Sequence, residues 1–237
     1  MGNLKDCDKL IDKIDQEISW RKLELTQLKF LVTSASTDKE LTILRSSIVL
    51  LYAHWEGFVK RLLTLYLNHI VDQGLYGYEL KPNFYAMSLS SDFEQFKKTK
   101  KTTHYVSLTK TVFDKINEIP KIQCDKIIDT QSNLNSELFK ELMGLLDLDP
   151  SIHDTSFNLI DERLLERRNG IAHGENRKRF PLNKTEYEDI HKRIVQIMDD
   201  LASQIKDAAI NQRYKKTPVS NNEIVESVAT ENLLPIG

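Results

Sequence analysis

Apolar side chains recur every three or four residues through most of the first 70 positions of this 237-residue chain. Such spacing lines them along one face of an α-helix, which turns once in 3.6 residues. The chain also contains only eight glycines and six prolines, the residues that most often interrupt helices. Together these features predict an all-α protein built from long helices. We find no internal repeat and no convincing strand pattern.

The first helix is predicted over residues 4–32, where the apolar residues follow a heptad pattern interrupted by Arg21. Two interpretations of this stripe are open. The helix packs only against its own domain, or it also pairs with a second chain. Roughly four heptads are close to the minimum for a coiled coil, which favours the first interpretation. The stripe consists of Leu4, Cys7, Ile11, Ile14, Ile18, Leu25 and Leu28.

The second helix is predicted over residues 38–73, with Thr37 and Glu40 at the spacing of a capping box and Gly74 as a C-terminal stop. Gly57 lies mid-helix, where glycine costs about 1 kcal/mol relative to alanine and usually permits close helix packing. The predicted buried face consists of Leu44, Ile48, Leu51, Trp55, Phe58, Leu62 and Leu65.

The helical pattern weakens over residues 75–131, which we interpret as an insertion with some order of its own. Its basic run at 97–101 has the composition of a solvated loop more often than of a binding surface. A short helix is expected at 113–119, ending before Pro120.

Helical periodicity returns after the insertion. Helices are predicted at 136–146, from 161 to 170 or beyond, and at 185–212. Residues 1–213 are therefore expected to form one helical domain, and the polar residues 214–237 a flexible tail.

Most enzyme classes have no support in the sequence. It contains no glycine-rich phosphate loop, no HExxH motif and no nucleophile elbow, and its histidines are scattered. Cys7 and Cys124 belong to no metal-binding or disulfide framework, which favours reduced thiols in a cytoplasmic protein. The N-terminus lacks a signal peptide, and charged residues interrupt the apolar stretch 46–70, so we expect no membrane span. With a net charge of −2, any nucleic-acid site must be a local patch.

One segment, LLERRNGIAHGE at 164–175, combines Arg168, Asn169 and His173 among small and apolar residues. On a helix, Asn169 and His173 share a face, whereas Arg168 lies about 140° around from His173. One copy therefore does not easily converge on one phosphate, but two copies across a twofold axis would. Gly170 and Gly174 either permit close backbone approach or end the helix. Taken alone, the residues favour a plainer interpretation, an ion-paired arginine and a histidine at a helix C-terminus.

The RNGIAH sequence at 168–173 resembles the Arg-x4-6-His signature of HEPN domains (higher eukaryotes and prokaryotes nucleotide-binding). Residues 44–60 look like the first core helix of a bacterial HEPN nuclease family. The NLN sequence at 133–135 and the helix after it are similar to the segment that precedes the motif in that family. The resemblance covers about residues 40–72 and 130–205, and the first helix and the insertion are less diagnostic.

This resemblance implies a HEPN-like bundle of long antiparallel helices that forms homodimers and binds RNA at a composite site. It implies a metal-independent endoribonuclease, which needs no cofactor because the RNA 2′-OH supplies the nucleophile. The expected products are a 2′,3′-cyclic phosphate and a 5′-OH. His173 would do acid–base work, Arg168 would stabilise the charge of the transition state, and Asn169 would orient the phosphate or the imidazole.

Further side chains are expected around this site. Glu56 is a candidate partner behind the motif, although a solvated or capping role fits it equally well. The candidate RNA-backbone contacts are Arg167, Arg177, Lys178, Lys98 and Lys100.

The expected setting is a toxin–antitoxin or anti-phage defence system with an antitoxin or defence-protein partner. Two alternatives remain open, because some HEPN proteins are inactive. The chain is then a non-catalytic helical interaction protein of a defence complex, or a module that binds a mononucleotide through the same arginine and histidine.

Overall fold

The computed structural model describes residues 2–98, 103–175 and 181–217, and these form helices with no strand among them. The prediction of an all-α fold is confirmed. None of the described helices is long and apolar enough to cross a membrane. The α-helices are α1 (Gly2–Ser34), α2 (Thr37–Asp72), α3 (Pro82–Ser88), α4 (Ser90–Lys97), α5 (Thr103–Lys115), α6 (Cys124–Ile127), α7 (Ser136–Leu145), α8 (Glu166–Ala172) and α9 (Lys184–Ile210).

The long helices α1, α2 and α9 pack against one another in pairs and enclose the core. The buried face predicted for α2 is confirmed, since all seven of its apolar residues are buried. Large side chains fill the centre, and each such side chain contributes about 1.5–3 kcal/mol through burial. The largest fully buried ones include Trp55, Tyr52, Tyr66, Tyr187 and Phe139.

The heptad stripe of α1 packs against other helices of the same chain. Ile14 and Leu25 are completely buried in the core. Arg21, which interrupts the stripe, is buried as well, because it pairs with Glu17 and its guanidinium lies over the ring of Trp20. The stripe from Cys7 to Leu28 therefore packs on the chain's own core, as the first interpretation expects, and the side chain of Leu4 lies outside the described residues.

Two details of the predicted helix ends are wrong. The N-cap of α2 is Ser36 and makes no side-chain cap, because Thr37 is already helical, and Glu40 lies 3.5 Å from Lys184 of α9. The helix expected at 113–119 lies earlier, as α5, because the segment after α5 turns to pair with the 3-10 helix Gly77–Glu79. There the backbone N–H of Gly77 donates to the carbonyl of Glu118 over 3.0 Å.

The domain extends beyond residue 213. Tyr214 is 1% exposed, and its carbonyl accepts a hydrogen bond of 2.9 Å from the backbone N–H of Lys81. The N–H of Lys216 donates to the carbonyl of Glu79 over the same distance. The predicted start of the tail at 214 is therefore a few residues too early, and the rest of the predicted tail, 218–237, lies outside the described residues.

An unusual helix carries the motif. The 3-10 turn Ser151–Ser156 leads through the π-helical stretch Leu159–Leu165 into α8, so the helix predicted from 161 begins earlier. Asp161 in the π-helical stretch accepts a hydrogen bond of 2.7 Å from the N–H of Ser136, the first residue of α7. This bond fixes the loop before α7 beside the motif, and π-helical turns occur frequently at functional sites.

Candidate functional site

Helix α8 packs against α2 and the π-helical stretch that precedes it. Leu164 and Leu165 are buried immediately before α8, and Gly170 is buried within it. These anchors leave Arg168 and Asn169 half-buried and His173 exposed. The motif therefore begins against the domain core and ends at the surface.

Contacts with α2 and with the loop before α7 hold the side chain of Arg168 in place. Its Cζ lies 4.4 Å from the centroid of the Tyr52 ring, a cation–π contact. One guanidinium nitrogen donates to Oδ1 of Asn169 over 2.6 Å, and the other donates to the carbonyl of Ser132 over 3.1 Å. These contacts fix the direction of the guanidinium while its side chain remains 24% exposed.

Glu56 supplies the negative charge beside this arginine. Its Oε2 lies 4.0 Å from Nη2 of Arg168, and its Oε1 is buried without a hydrogen-bond partner among the described residues. Burial, reinforced by the Glu56 carboxylate, raises the pKa of Tyr52 above its usual range, so this phenol stays neutral. Glu56 therefore lies beside Arg168 within the chain, and its role at the site stays a prediction.

The loop before α7 holds the motif from its other side. Nδ2 of Asn169 donates to Oδ1 of Asn133 over 3.2 Å. Gln131 and Ser132 both have a positive φ, +54° and +53°. Left-handed backbone costs a non-glycine residue roughly 1–2 kcal/mol, and such strain concentrates at functional sites.

Sequence reasoning missed Tyr52, Ser132 and Asn133 as site residues. Asn133 belongs to the NLN segment, which was noticed only for its resemblance to a family. Each residue of that segment has a different role. Asn133 contacts the motif and Leu134 is buried in the core. Asn135 caps α7, because its Oδ1 accepts a hydrogen bond from the N–H of Leu138.

His173 ends the motif helix as its C-cap. Gly174 follows with φ +72°, and its N–H donates to the carbonyl of Ile171 over 3.1 Å. The N–H of Glu175 donates to the carbonyl of Gly170 over 2.8 Å, which completes a Schellman motif. Gly174 therefore ends the helix, and the cap leaves the imidazole of His173 exposed.

Arg168 and His173 do not converge within one chain. Arg168 faces α2 and the loop before α7, whereas His173 lies at the exposed end of α8. Five residues of regular helix separate two side chains by about 7.5 Å along the axis and about 140° around it. Within one chain, the two groups therefore point in different directions.

Of the other candidate cations, Arg167 and Lys98 lie among the described residues. Arg167 is half-buried and pairs with Glu186 of α9 over 2.6 Å, so it links α8 to α9 within the chain. Lys98 is exposed after α4, a helix that packs on α3 and α5. The remaining candidates lie outside the described residues, namely Lys100, Arg177 and Lys178.

The described residues include no group of three or more histidine, cysteine, aspartate or glutamate side chains that could hold a metal ion. Cys7 and Cys124 are both buried as free thiols.

A family model described as HEPN_MAE_28990/-like HEPN matches residues 10–214. The match includes α1 and the insertion, which the resemblance read from the sequence covered only weakly. No significant match is found among curated proteins or among solved structures.

Proposed function

Because this chain belongs to the HEPN family, we propose that it is a metal-independent endoribonuclease whose active site is completed by a second copy of the chain. The observation that carries the proposal is that the motif presents two different groups. Its guanidinium is held in a fixed direction, and its imidazole is exposed. Arg168 is held by Tyr52 and Asn169, and His173 lies at the open end of the same helix.

The chemistry follows from these groups. RNA carries its own nucleophile, the 2′-OH next to the scissile phosphate. His173 takes the proton of this hydroxyl or protonates the departing 5′-oxygen, because an imidazole can serve as a general base or a general acid. Arg168 stays charged and donates to the phosphate oxygens as negative charge builds on them. The products are a 2′,3′-cyclic phosphate and a 5′-OH.

A second copy is needed because the two groups diverge within one chain. A twofold axis near the exposed end of α8 would bring His173 of one copy and Arg168 of the other towards a shared phosphate. Asn169, which links Arg168 to Asn133, would keep the guanidinium in its direction during this approach.

The test is cleavage of single-stranded RNA in the presence of EDTA. We expect the wild-type protein to cleave, and Arg168→Ala and His173→Ala to lose cleavage while keeping their helical circular dichroism. Arg163→Ala is the matched control, since Arg163 lies in the preceding helical turns and pairs with Asp189 over 2.7 Å. RNA without a 2′-OH should resist cleavage. A requirement for Mg²⁺, or cleavage that survives both substitutions, would contradict the mechanism.

We place this activity in a toxin–antitoxin or anti-phage defence system in the cytoplasm. A free ribonuclease arrests growth when it is overproduced, whereas the His173→Ala variant should not. The identity of the neighbouring gene is a further test of this setting.

A non-catalytic HEPN module is the second candidate. It draws support from the contacts of Arg168, which engage the guanidinium within the chain. This candidate predicts a stable complex with a partner protein, or binding of a mononucleotide, without any RNA turnover. Thermal shift with a panel of nucleotides distinguishes the nucleotide-binding form.

A further inference from the structure

Arg45 on α2 is a half-buried arginine whose guanidinium is held by a backbone carbonyl. Its Nη2 donates to the carbonyl of Glu175 over 3.3 Å, two residues beyond His173. Its Nη1 is buried and has no hydrogen-bond partner among the described residues. A guanidinium N–H held away from water without an acceptor is costly, and an anion would offset that cost.

Arg45 lines an open groove of about 490 Å³ between α2 and α8. The groove combines one guanidinium, two hydroxyl groups and an apolar wall, and it reaches the motif helix at Ile171. Its other lining residues are Thr42, Ser46, Val49, Leu50 and Ile171.

We propose that this groove binds one nucleotide of the RNA substrate next to the scissile phosphate, with Arg45 on its phosphate. The proposal rests on the ribonuclease function proposed above. A guanidinium donates two parallel hydrogen bonds to a phosphate, and an apolar wall contacts the face of an unstacked base. An RNA strand cut at His173 must continue past the end of α8, and the groove includes Ile171, two residues before His173.

The groove fits RNA better than a second copy of the chain, because the positively charged Arg45 lies at the end of the groove that is next to the motif. A protein surface docking there would need a carboxylate placed against Arg45, or would bury that charge unpaired. RNA presents a phosphate at every nucleotide, so the same strand that reaches His173 supplies the anion.

The test measures binding of a short fluorescent 2′-fluoro RNA, which lacks the nucleophile and is not cleaved, by fluorescence anisotropy. Arg45→Ala removes the phosphate ligand, and Leu50→Trp fills the groove without changing charge; Leu50 is 40% exposed and tolerates a larger side chain. Arg61→Ala is the matched control, because Arg61 lies on the same helix about 24 Å away and is also cationic. We expect Arg45→Ala to raise the Kd roughly tenfold, the effect of losing one charged hydrogen bond. Leu50→Trp should also raise the Kd, because the indole occupies the space of the nucleotide. Arg45→Lys should recover part of this loss, since it restores the charge without the fork.

Equal RNA affinity of the Arg45→Ala and Arg61→Ala variants would overturn the proposal. A change of oligomeric state in Leu50→Trp, measured by light scattering, would also overturn it, because the groove would then be an interface between copies. Where Arg45→Ala fails to fold, Leu50→Trp alone decides. Arg45-dependent binding without any cleavage of ordinary RNA by the wild-type protein would remove the nuclease and leave the nucleotide site in place.

Discussion

The guanidinium of Arg168 lies over the buried ring of Tyr52, with its Cζ 4.4 Å from the ring centroid. The ring contacts one face of the guanidinium, while Asn169 and the Ser132 carbonyl accept hydrogen bonds from the guanidinium nitrogens. The Tyr52 hydroxyl is buried beside the Glu56 carboxylate, which helps to raise the pKa of the phenol. The aromatic face of Tyr52 contacts the guanidinium and therefore positions Arg168.

Tyr52→Phe should keep RNA cleavage within about twofold of wild type and should change the melting temperature little, because it keeps the ring that contacts Arg168. Tyr52→Leu should destabilise the protein by about 1–3 kcal/mol and reduce kcat more than tenfold, because the guanidinium loses its contact with the aromatic ring. Steady-state kinetics and thermal unfolding of both variants check this. A Phe variant as impaired as the Leu variant would instead assign the role to the hydroxyl.

Asn133 and Asn135 lie two residues apart but should respond differently to substitution. Asn135→Ala removes the N-cap of α7 and should cost about 1 kcal/mol of stability. Asn133→Ala removes the contact with Asn169 from an exposed residue, so its stability should stay within about 0.5 kcal/mol of wild type while cleavage falls. Urea unfolding and cleavage assays on the two variants separate these effects. The opposite pattern would show that the Asn133 contact is structural only.

Gly174 and Gly144 form a matched pair of glycines. A Cβ added at either one would meet nothing within 4 Å, but only Gly174 has a positive φ, +72°. Gly174→Ala should therefore destabilise the protein by roughly 1–2 kcal/mol through backbone strain. Gly144→Ala, in the last turn of α7, should leave the stability unchanged or raise it by less than about 1 kcal/mol. Equal effects in thermal unfolding would contradict the role of Gly174 as the residue that ends the motif helix.

Burial lowers the pKa of four histidines below the ordinary value of 6.5: His54, His69, His153 and His191. The folded protein keeps these imidazoles neutral, whereas the unfolded chain takes up protons below about pH 6.5. The unfolded state then binds more protons, so the free energy of unfolding should fall as the pH drops through this region.

The melting temperature should accordingly be lower at about pH 5.5 than at about pH 7.5. His153→Phe should narrow this difference, because His153 is 1% exposed, its Nε2 has no partner in the described part of the chain, and it packs near Phe139. A melting temperature that does not change between the two pH values would contradict the prediction.

Periodicity was sufficient to predict the long helices, because burial of one face imposes the same spacing on sequence and structure. The stripes containing Ile14 on α1 and Trp55 on α2 show this directly. The ends of helices were harder to predict, because a residue with the spacing of a cap can instead enter the helix or contact another helix. Thr37 and Glu40 had the spacing of a capping box, yet the helix starts one residue earlier and Glu40 lies beside Lys184.

The motif itself was visible because Arg168, Asn169 and His173 are close in sequence. Its partners were not, because Tyr52 and Asn133 reach it only through the fold, from 116 and 36 positions away in the chain. The π-helical stretch that precedes α8 has no sequence signal that we recognised. The half-buried cation Arg45 was equally hidden within the pattern of α2.

The most direct test of the composite site is to combine the Arg168→Ala and His173→Ala chains in one preparation. Co-expression with two different affinity tags isolates the mixed dimer, which keeps one guanidinium from one chain and one imidazole from the other. We predict that each pure variant is inactive and that the mixed dimer cleaves RNA in EDTA to a 2′,3′-cyclic phosphate. A mixed dimer as inactive as its parents, or a chain that remains monomeric, would contradict an active site shared between two copies.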